Sequence, residues 1–307
     1  MPHNLRIIFM GTPDFAVPSL QALVEAGYQV VAVVTAPDKP SGRGLQLKAP
    51  PVKIYAQSQG IPVLQPEKLK NPEFLSALRA FQADLQVVVA FRMLPEVVWN
   101  MPPKGTINLH ASLLPDYRGA APINHAIIQG ETETGATTFF LQHAIDTGDI
   151  IDSIRVPILP DDNAGTLHDK LMLEGAQLIV KTVDAIEQNT YTTQAQSGVS
   201  DKTAPKIFRD DCKIDWHQPA MRIHNLIRGL SPYPAAFTDV AGIQWKIFQS
   251  TPVITTHQLQ PGTLVSDHKT YLHIACADGF LNIISLQAEG KKRMEIAEFL
   301  RGNRIPQ

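Results

Sequence analysis

The chain has 307 residues, a length that favours about two domains, and its hydrophobic and charged fractions of 44% and 18% are typical of an ordinary globular protein. No apolar run is long enough to predict a membrane span, and the N-terminus lacks the features of a secretory signal. The two cysteines, Cys212 and Cys276, are too few for a disulfide framework and lack the spacing of zinc ligands, so a reducing cytoplasm is predicted.

The net charge of −2 hides a mild asymmetry along the chain. Acidic residues are in excess over residues 1–202, whereas basic residues are in excess over residues 203–307. A basic C-terminal part is compatible with a polyanionic partner such as RNA.

The N-terminal segment predicts a βαβ unit. A strand over 6–10 ends at Gly11, a helix follows over 19–26, and a valine-rich strand follows over 29–35. A dinucleotide-binding enzyme would need three spaced glycines in the first turn, but here Gly11 is followed by Pro13. This argues against a nicotinamide or flavin cofactor.

A long loop rich in proline and glycine is predicted over 36–50. It carries Lys39, Arg43 and Lys48, which could reach a phosphate backbone, although a solvated surface loop is the alternative. We expect this loop to be disordered or highly mobile without a nucleic-acid partner.

Helices predicted over 51–59 and 72–82 alternate with strands over 62–64, 85–90 and 105–110, which indicates a parallel sheet. Ligands of open α/β sheets bind at the carboxyl ends of the strands, so the loops after residues 90 and 110 are candidate site loops.

Polar side chains cluster at the end of the strand over 105–110. Asn108 and His110 are two residues apart and therefore lie on one face of the strand. Asp146 follows one helix (122–129) and one strand (134–143) later. These residue types could supply an oxyanion donor, a base and an orienting carboxylate, although loop or capping chemistry is the alternative.

The C-terminal part predicts a separate domain. A strand over 150–157 and a long helix over 163–187 are followed by a polar linker at 190–209. A helix over 219–228 precedes five short strands, near 236–240, 243–248, 262–265, 271–275 and 280–286, and a last helix over 296–301. This spacing suggests a small barrel, for which the oligonucleotide-binding type is one candidate.

These motifs together resemble the methionyl-tRNA formyltransferase family. The resemblance rests on the segments 9–18, 36–44, 108–122, 146–149, 214–216, 223–230 and 291–294. It implies an α/β, Rossmann-like formyltransferase domain over 1–189, a linker over 190–209, and a C-terminal small β-barrel domain that binds tRNA over 210–307.

The resemblance also implies a reaction. A formyl group would pass from 10-formyltetrahydrofolate to the α-amino group of methionine on initiator methionyl-tRNA, for translation initiation. Asn108, His110 and Asp146 would be catalytic, with Asn108 and His110 donating to the oxyanion and Asp146 fixing the protonation state of His110. No metal is needed because the amine is the nucleophile, and a cytoplasmic monomer without membrane association is expected.

Binding residues follow from the same resemblance. Ser112, Leu113, Leu114 and Pro115 would lie against the folate, and Phe91, Arg92 and Leu94 would line the pterin pocket. Arg43 would enter the acceptor stem with help from Lys39 and Lys48, and Lys206 and Lys213 would contact phosphates.

Two alternatives stay open from the sequence. One is another folate-dependent formyltransferase, acting on an amino sugar or a glycinamide ribonucleotide. The other is a catalytically silent tRNA-binding protein.

Overall fold

The structure is a computed structural model that describes residues 3–41, 46–196, 200–303 and 305. The chain forms two compact units, each assembled from separate stretches of sequence. The first unit comprises Met1–Arg118, Thr134–Val156 and His168–Lys202, and the second comprises Gly119–Glu133, Pro157–Leu167 and Thr203–Gln307.

The elements follow the chain in an α/β order that gives way to strands after residue 230. The helices are α1 (Val17–Glu25), α2 (Pro51–Ser58), α3 (Pro72–Ala80), α4 (Glu96–Trp99), α5 (Pro122–Ile128), α6 (Ala164–Glu187), α7 (Ala220–Leu230) and α8 (Ile296–Gly302). The first ten strands are β1 (Arg6–Gly11), β2 (Gln29–Val34), β3 (Lys39–Ser41), β4 (Gln46–Lys48), β5 (Val63–Leu64), β6 (Leu85–Val89), β7 (Thr106–His110), β8 (Arg118–Gly119), β9 (Glu133–Phe140) and β10 (Ile150–Pro157). The remaining strands are β11 (Thr203–Ala204), β12 (Ala236–Val240), β13 (Ile243–Ile254), β14 (Leu264–Ser266), β15 (Leu272–Ala275), β16 (Gly279–Ala288) and β17 (Met294–Glu295).

A seven-stranded mixed sheet forms the centre of the first unit, in the order β10-β9-β7-β6-β1-β2-β5. The pairs β1–β2, β1–β6, β2–β5 and β6–β7 are parallel, and β7–β9 is antiparallel. Strand β6 is buried along its whole length, as expected for a strand of a parallel sheet covered on both faces. The predicted parallel sheet is confirmed, and the carboxyl ends of β1, β6 and β7 meet at one edge.

One face of this sheet is covered by an apolar cluster that α3 completes. Its members are Ile8, Met10, Ala32, Val34, Leu69, Phe74, Leu78, Val88, Leu94 and Val98. Helix α3 begins where the sequence favours it, because Asn71 caps the amide of Glu73 at 2.8 Å and Pro72 occupies the first turn.

The segment 36–50, predicted to be a long loop, contains a short hairpin of two three-residue strands. Strands β3 and β4 pair antiparallel, with Lys39 opposite Lys48. At the base of the hairpin, Asp38 accepts hydrogen bonds from Lys53 at 2.7 Å and Gln65 at 2.8 Å. These contacts hold the first end of the segment at Asp38. They join residues 15 and 27 positions apart, which local sequence patterns do not reveal. Arg43 lies outside the described residues.

The second unit contains an antiparallel sheet in the order β12-β13-β16-β15-β14, with β17 added beside β16. All five predicted strands are present. Strand β13 extends to Ile254, beyond the predicted end at 248, because residues 250–254 pair with β16 after a register shift near Gln249. Within the described residues no ladder joins β12 to β14, and the closed barrel stays a prediction.

The core of the second unit lies between this sheet and helices α7 and α8. Ile223, Ile227 and Leu230 of α7 are buried at helical spacing, and Phe299 of α8 packs edge-on against Trp245. Helix α5 also belongs to this unit: the side-chain amide of Asn124 donates to the Gly229 carbonyl at 2.8 Å. Among the described helices, none is both long and apolar enough to cross a membrane.

Candidate active site

Strand β7 presents two polar side chains at the edge of the sheet where the carboxyl ends of its parallel strands meet. Leu109 points to α6, where a Cβ on Gly175 would come within 2.7 Å of the Leu109 side chain. Asn108 and His110 therefore lie on the opposite face, as the period of two predicts. Asn108 is half-buried, and within the described part of the chain its side-chain amide forms no hydrogen bond.

The two ring nitrogens of His110 have different partners. Nε2 lies 2.9 Å from the backbone carbonyl of Tyr117, which can only accept, so Nε2 donates and carries the hydrogen. Nδ1 faces the Asp146 carboxylate, with Oδ2 at 3.8 Å. The neutral imidazole therefore has its lone pair on Nδ1, the nitrogen that points to Asp146.

Asp146 lies in the tight loop between β9 and β10. Its backbone has a φ of 53°, a left-handed conformation that is uncommon outside glycine but that aspartate adopts more readily than most residues. Two residues later, a Cβ on Gly148 would lie 1.6 Å from the Phe140 carbonyl oxygen, so glycine is required there. The structure thus brings Asp146 and His110 together. Because the two residues are far apart in sequence, the sequence alone offered their proximity only as a hypothesis.

Two further residues hold the Asp146 loop: Arg118, which lies in the 108–122 motif but was assigned no role, and Gln196, to which no sequence pattern pointed. The Gln196 amide donates to the carbonyls of Asp146 at 2.9 Å and Gly148 at 2.8 Å. Arg118 donates to the Gln196 side-chain oxygen from Nε at 3.1 Å and also from Nη2. Gln196 falls in the polar segment predicted to be a linker, where a lone glutamine is unremarkable.

The segment 112–115 is fixed from β9. Thr137 donates its hydroxyl to the Ser112 carbonyl at 2.7 Å and accepts from the Leu114 amide at 3.2 Å. The Ser112 hydroxyl donates to the Asp116 carbonyl at 2.6 Å, and the Leu114–Pro115 bond is cis. Leu113 lies beside Gly135, whose Cβ would approach its side chain to 2.5 Å.

The three predicted pterin-pocket residues differ in their surroundings. Phe91 is half-buried against the apolar cluster, and Leu94 is a buried member of it. Arg92 is exposed, with its guanidinium over the Phe91 ring and donating to the backbone carbonyls of Pro66 and Glu67. Leu94 therefore packs inside the apolar cluster, and Arg92 is bonded to the backbone at residues 66 and 67.

The predicted cationic contacts are all exposed where the structure describes them. Lys39 and Lys48 face outward on the hairpin, and Lys206 lies over the exposed ring of Phe208. Lys213 lies 3.4 Å from Asp239 in an exposed ion pair. An exposed pair of this kind is worth little, so it leaves Lys213 available to an anion.

The second unit contains a separate cleft of about 570 Å³, which sequence reasoning did not identify. Its polar lining includes His224, Arg228 and Arg293. Burial lowers the pKa of His224, and the charge of Arg228 lowers it further. All of the lining residues belong to the second unit, whereas Asn108, His110 and Asp146 belong to the first.

Nowhere in the described ranges do three or more His, Cys, Asp or Glu side chains form a group that could hold a metal ion.

Two family models match the chain. The model described as formyl transferase covers residues 5–183, and the model described as formyl transferase, C-terminal domain, covers residues 206–304. The methionyl-tRNA formyltransferase of Bacteroides thetaiotaomicron is 55% identical over 312 residues, covering 99% of this chain and 97% of that protein. The protein of the same name from Bacteroides fragilis is 56% identical over 309 residues, covering 98% and 95%.

Among solved structures, the sugar 3N-formyl transferase WlaRD, in the presence of dTDP and 5-N-formyl-THF, superposes with a TM-score of 0.68. The match covers 94% of this chain and 100% of that one, at 22% sequence identity. At this identity the likeness establishes the fold alone.

Proposed function

This chain belongs to the methionyl-tRNA formyltransferase family, and from that premise we propose that it formylates the methionine of initiator methionyl-tRNA for translation initiation, with 10-formyltetrahydrofolate as the donor. The observation that carries the proposal at the level of chemistry is the cluster of Asn108, His110 and Asp146 at the edge of the sheet where the carboxyl ends of its parallel strands meet. It supplies a hydrogen-bond donor, a base and a carboxylate without a nucleophilic side chain, which suits an amine nucleophile.

In the proposed mechanism, the α-amine of the methionyl group attacks the formyl carbon and the carbonyl oxygen becomes an oxyanion. Asn108 donates its amide hydrogen to this oxygen; one such donor is typically worth about 3 kcal/mol of barrier. Nδ1 of His110 takes the proton that the amine loses, because Nε2 is committed to the Tyr117 carbonyl. Asp146 stabilises the resulting imidazolium.

The same proton completes the reaction. Protonated Nδ1 is a donor, and it delivers the proton to the folate nitrogen as the bond from the formyl carbon to that nitrogen breaks. The products are formyl-methionyl-tRNA and tetrahydrofolate, with no net gain or loss of protons at His110. The residues predicted at the folate are the 112–115 segment, which Thr137 fixes, together with Phe91, Arg92 and Leu94.

For the tRNA, we propose that residues 1–189 perform the chemistry while the C-terminal domain over 210–307 binds the acceptor arm. Lys206 and Lys213 would contact phosphates, and Arg43, Lys39 and Lys48 would approach the acceptor stem. The exposure of the four described lysines supports this assignment. We further propose a cytoplasmic monomer; both cysteines are free and buried, which suits a reducing compartment.

Transfer of radiolabelled formyl from 10-formyltetrahydrofolate to charged initiator tRNA tests the proposal. We expect transfer to methionyl-tRNA and no transfer to a nucleotide-linked amino sugar or to glycinamide ribonucleotide. Transfer to either small amine but not to methionyl-tRNA would establish the first alternative. Binding of tRNA without any transfer would establish the silent RNA-binding protein.

A further inference from the structure

A polar segment that follows the long helix α6 in the chain touches both loops of the candidate site. We name its described residues, 194–196 and 200–202, the strap. The strap falls within the predicted linker at 190–209. Its described residues belong to the first unit and are hydrogen-bonded to it at both ends.

The first end of the strap holds the Asp146 loop. Gln194 and Ile150 exchange two backbone hydrogen bonds of 2.8 Å, which extends the pairing at the start of β10. Gln196 then uses its whole side-chain amide: the nitrogen donates to the carbonyls of Asp146 and Gly148, and the oxygen accepts from Arg118. Because carbonyls only accept and a guanidinium only donates, this orientation of the Gln196 amide is the one that satisfies all its partners.

The second end of the strap holds the loop that supports His110. The Tyr117 amide donates to the Lys202 carbonyl at 2.7 Å, while the Tyr117 carbonyl accepts from His110. The hydroxyl of Ser200 donates to the Asp116 carboxylate at 2.6 Å. The loop at Tyr117 is therefore fixed between the imidazole on one side and the strap on the other.

Tyr117 and Asp146 also share a left-handed backbone conformation, with φ of 58° and 53°. This conformation is uncommon outside glycine, and hydrogen bonds to the backbone help to hold it. In both cases the strap bonds to the backbone of the residue concerned: Lys202 to Tyr117, and Gln196 to Asp146.

From these contacts we propose that the strap sets the separation of the His110 imidazole from the Asp146 carboxylate, with Gln196 as a positioning residue of formyl transfer. The inference rests on the proposed function, since it gives the His110–Asp146 pair its catalytic meaning. Gln196 holds the Asp146 carboxylate indirectly, by binding the backbone of the Asp146 loop, and Arg118 orients the side-chain amide of Gln196. Loss of the Gln196 donors removes two hydrogen bonds to the backbone of the Asp146 loop, and we expect the carboxylate then to move away from Nδ1.

The test uses two substitutions at Gln196 in the full chain. Gln196→Met keeps the length of the side chain and removes its hydrogen bonds. Gln196→Glu keeps the pairing with Arg118, but it places carboxylate oxygen against the two carbonyl oxygens of the Asp146 loop. Gln188→Met is the matched control, because Gln188 lies in the first unit outside the strap and its exposed side chain forms no hydrogen bond among the described residues.

We expect Gln196→Met to lower kcat by about 10-fold to 100-fold, as a small displacement of a catalytic group does, while KM for the folate donor and for methionyl-tRNA stays unchanged. Gln196→Glu should lower kcat further, and Gln188→Met should match the unsubstituted protein. If the role of Gln196 were only to tie down Arg118, Gln196→Glu would remain active, and that result would overturn the inference.

A double substitution separates this inference from the proposed function. In an Asp146→Asn background, Gln196→Met should cause no additional decrease in kcat, because both changes act through one carboxylate. An inactive Asp146→Asn protein combined with a fully active Gln196→Met protein would overturn the role of the strap alone. A fully active Asp146→Asn protein would overturn the catalytic assignment of Asp146, and the inference with it. If Gln196→Met disturbs folding, Arg118→Lys tests the same chain of contacts, with the same decrease in kcat expected.

Discussion

His110 shows how a single residue acquires its role from its two neighbours. The carbonyl of Tyr117 commits Nε2 as a donor at 2.9 Å, which leaves Nδ1 as the nitrogen that can exchange a proton. Asp146 lies beside that nitrogen, at 3.8 Å, near enough to stabilise a positive ring. The separation exceeds that of a hydrogen bond, so Asp146 acts on the ring through its charge.

Substitution of the proposed oxyanion donor gives the most direct residue-level prediction. Asn108→Ala should lower kcat by about 10²-fold to 10³-fold, the usual cost of removing one oxyanion donor. Folate affinity should change little, because the donor acts mainly on charge that develops in the transition state. Steady-state kinetics and folate titration of the same protein check both statements. Asn100→Ala, at an exposed asparagine of the same unit, is the control and should be fully active.

His224 gives a second residue-level prediction, this one for stability. Burial, and next the charge of Arg228, depress its folded-state pKa below the ordinary value, although Asp161 opposes this and Ser250 bonds the ring at 3.2 Å. Protonation therefore favours the unfolded chain. The free energy of unfolding should fall as the pH drops from about 7 through about 6.5 toward the lower folded-state pKa, with no penalty above about 7.

Urea titrations across this range check the sign. His224→Gln should flatten the decline, whereas His143→Gln, at an exposed histidine of the first unit, should not. A decline of equal steepness in the His224→Gln protein would assign the pH dependence to other groups.

At the scale of an element, the β3–β4 hairpin concentrates positive charge in a defined geometry. Lys39 and Lys48 are direct partners in the ladder, and directly opposed residues have Cβ atoms about 5 Å apart. Two cationic side chains on adjacent positions of one hairpin face can contact neighbouring phosphates of a polyanion. The anchoring of Asp38 by Lys53 and Gln65 keeps the base of the hairpin in place.

The double substitution of Lys39 and Lys48 by alanine should weaken methionyl-tRNA binding and lower the slope of log affinity against log salt by about two, one for each phosphate that a lysine no longer neutralises. Folate binding should be unaffected. Lys68→Ala with Lys70→Ala, two exposed lysines elsewhere in the first unit, provides a control of equal charge change. An equal decrease in affinity in both double variants would mean that net charge, and not the hairpin, determines tRNA binding.

At the scale of the whole molecule, the small net charge of −2 conceals an uneven distribution, with the basic excess in residues 203–307. A protein of this kind attracts RNA through local groups and not through its overall charge. The compact units add a second feature, because residues 119–133 and 157–167 join the C-terminal sheet in one unit. The polypeptide chain therefore passes from one unit to the other several times along its length.

Salt should therefore affect the two substrates differently. We expect KM for methionyl-tRNA to rise steeply between about 50 and 200 mM salt, since phosphate contacts release counterions. KM for the folate donor should change far less. Steady-state kinetics over a salt series measures both, and a parallel rise of the two KM values would show that salt acts on the enzyme and not on RNA binding.

The sequence by itself determined the α/β order, the parallel sheet, the five C-terminal strands and the Asn108–His110 pair on one strand face. Each of these depends on residue type and on spacing within about ten positions, which periodicity records directly. Family motifs added the reaction class, and the relatives at about 55% identity bear out that assignment.

Only the tertiary structure decided what completes the site. The proximity of Asp146 to Nδ1 and the hydrogen bonds of Gln196 to the Asp146 loop join residues far apart in sequence. The partner of Nε2, Tyr117, is only seven residues away, but the atom that binds is a backbone carbonyl. Backbone carbonyls supply much of this geometry, and since every residue has one, no residue type marks them in advance. A polar segment with the composition of a linker therefore became, once folded, the strap between the two loops of the proposed catalytic pair.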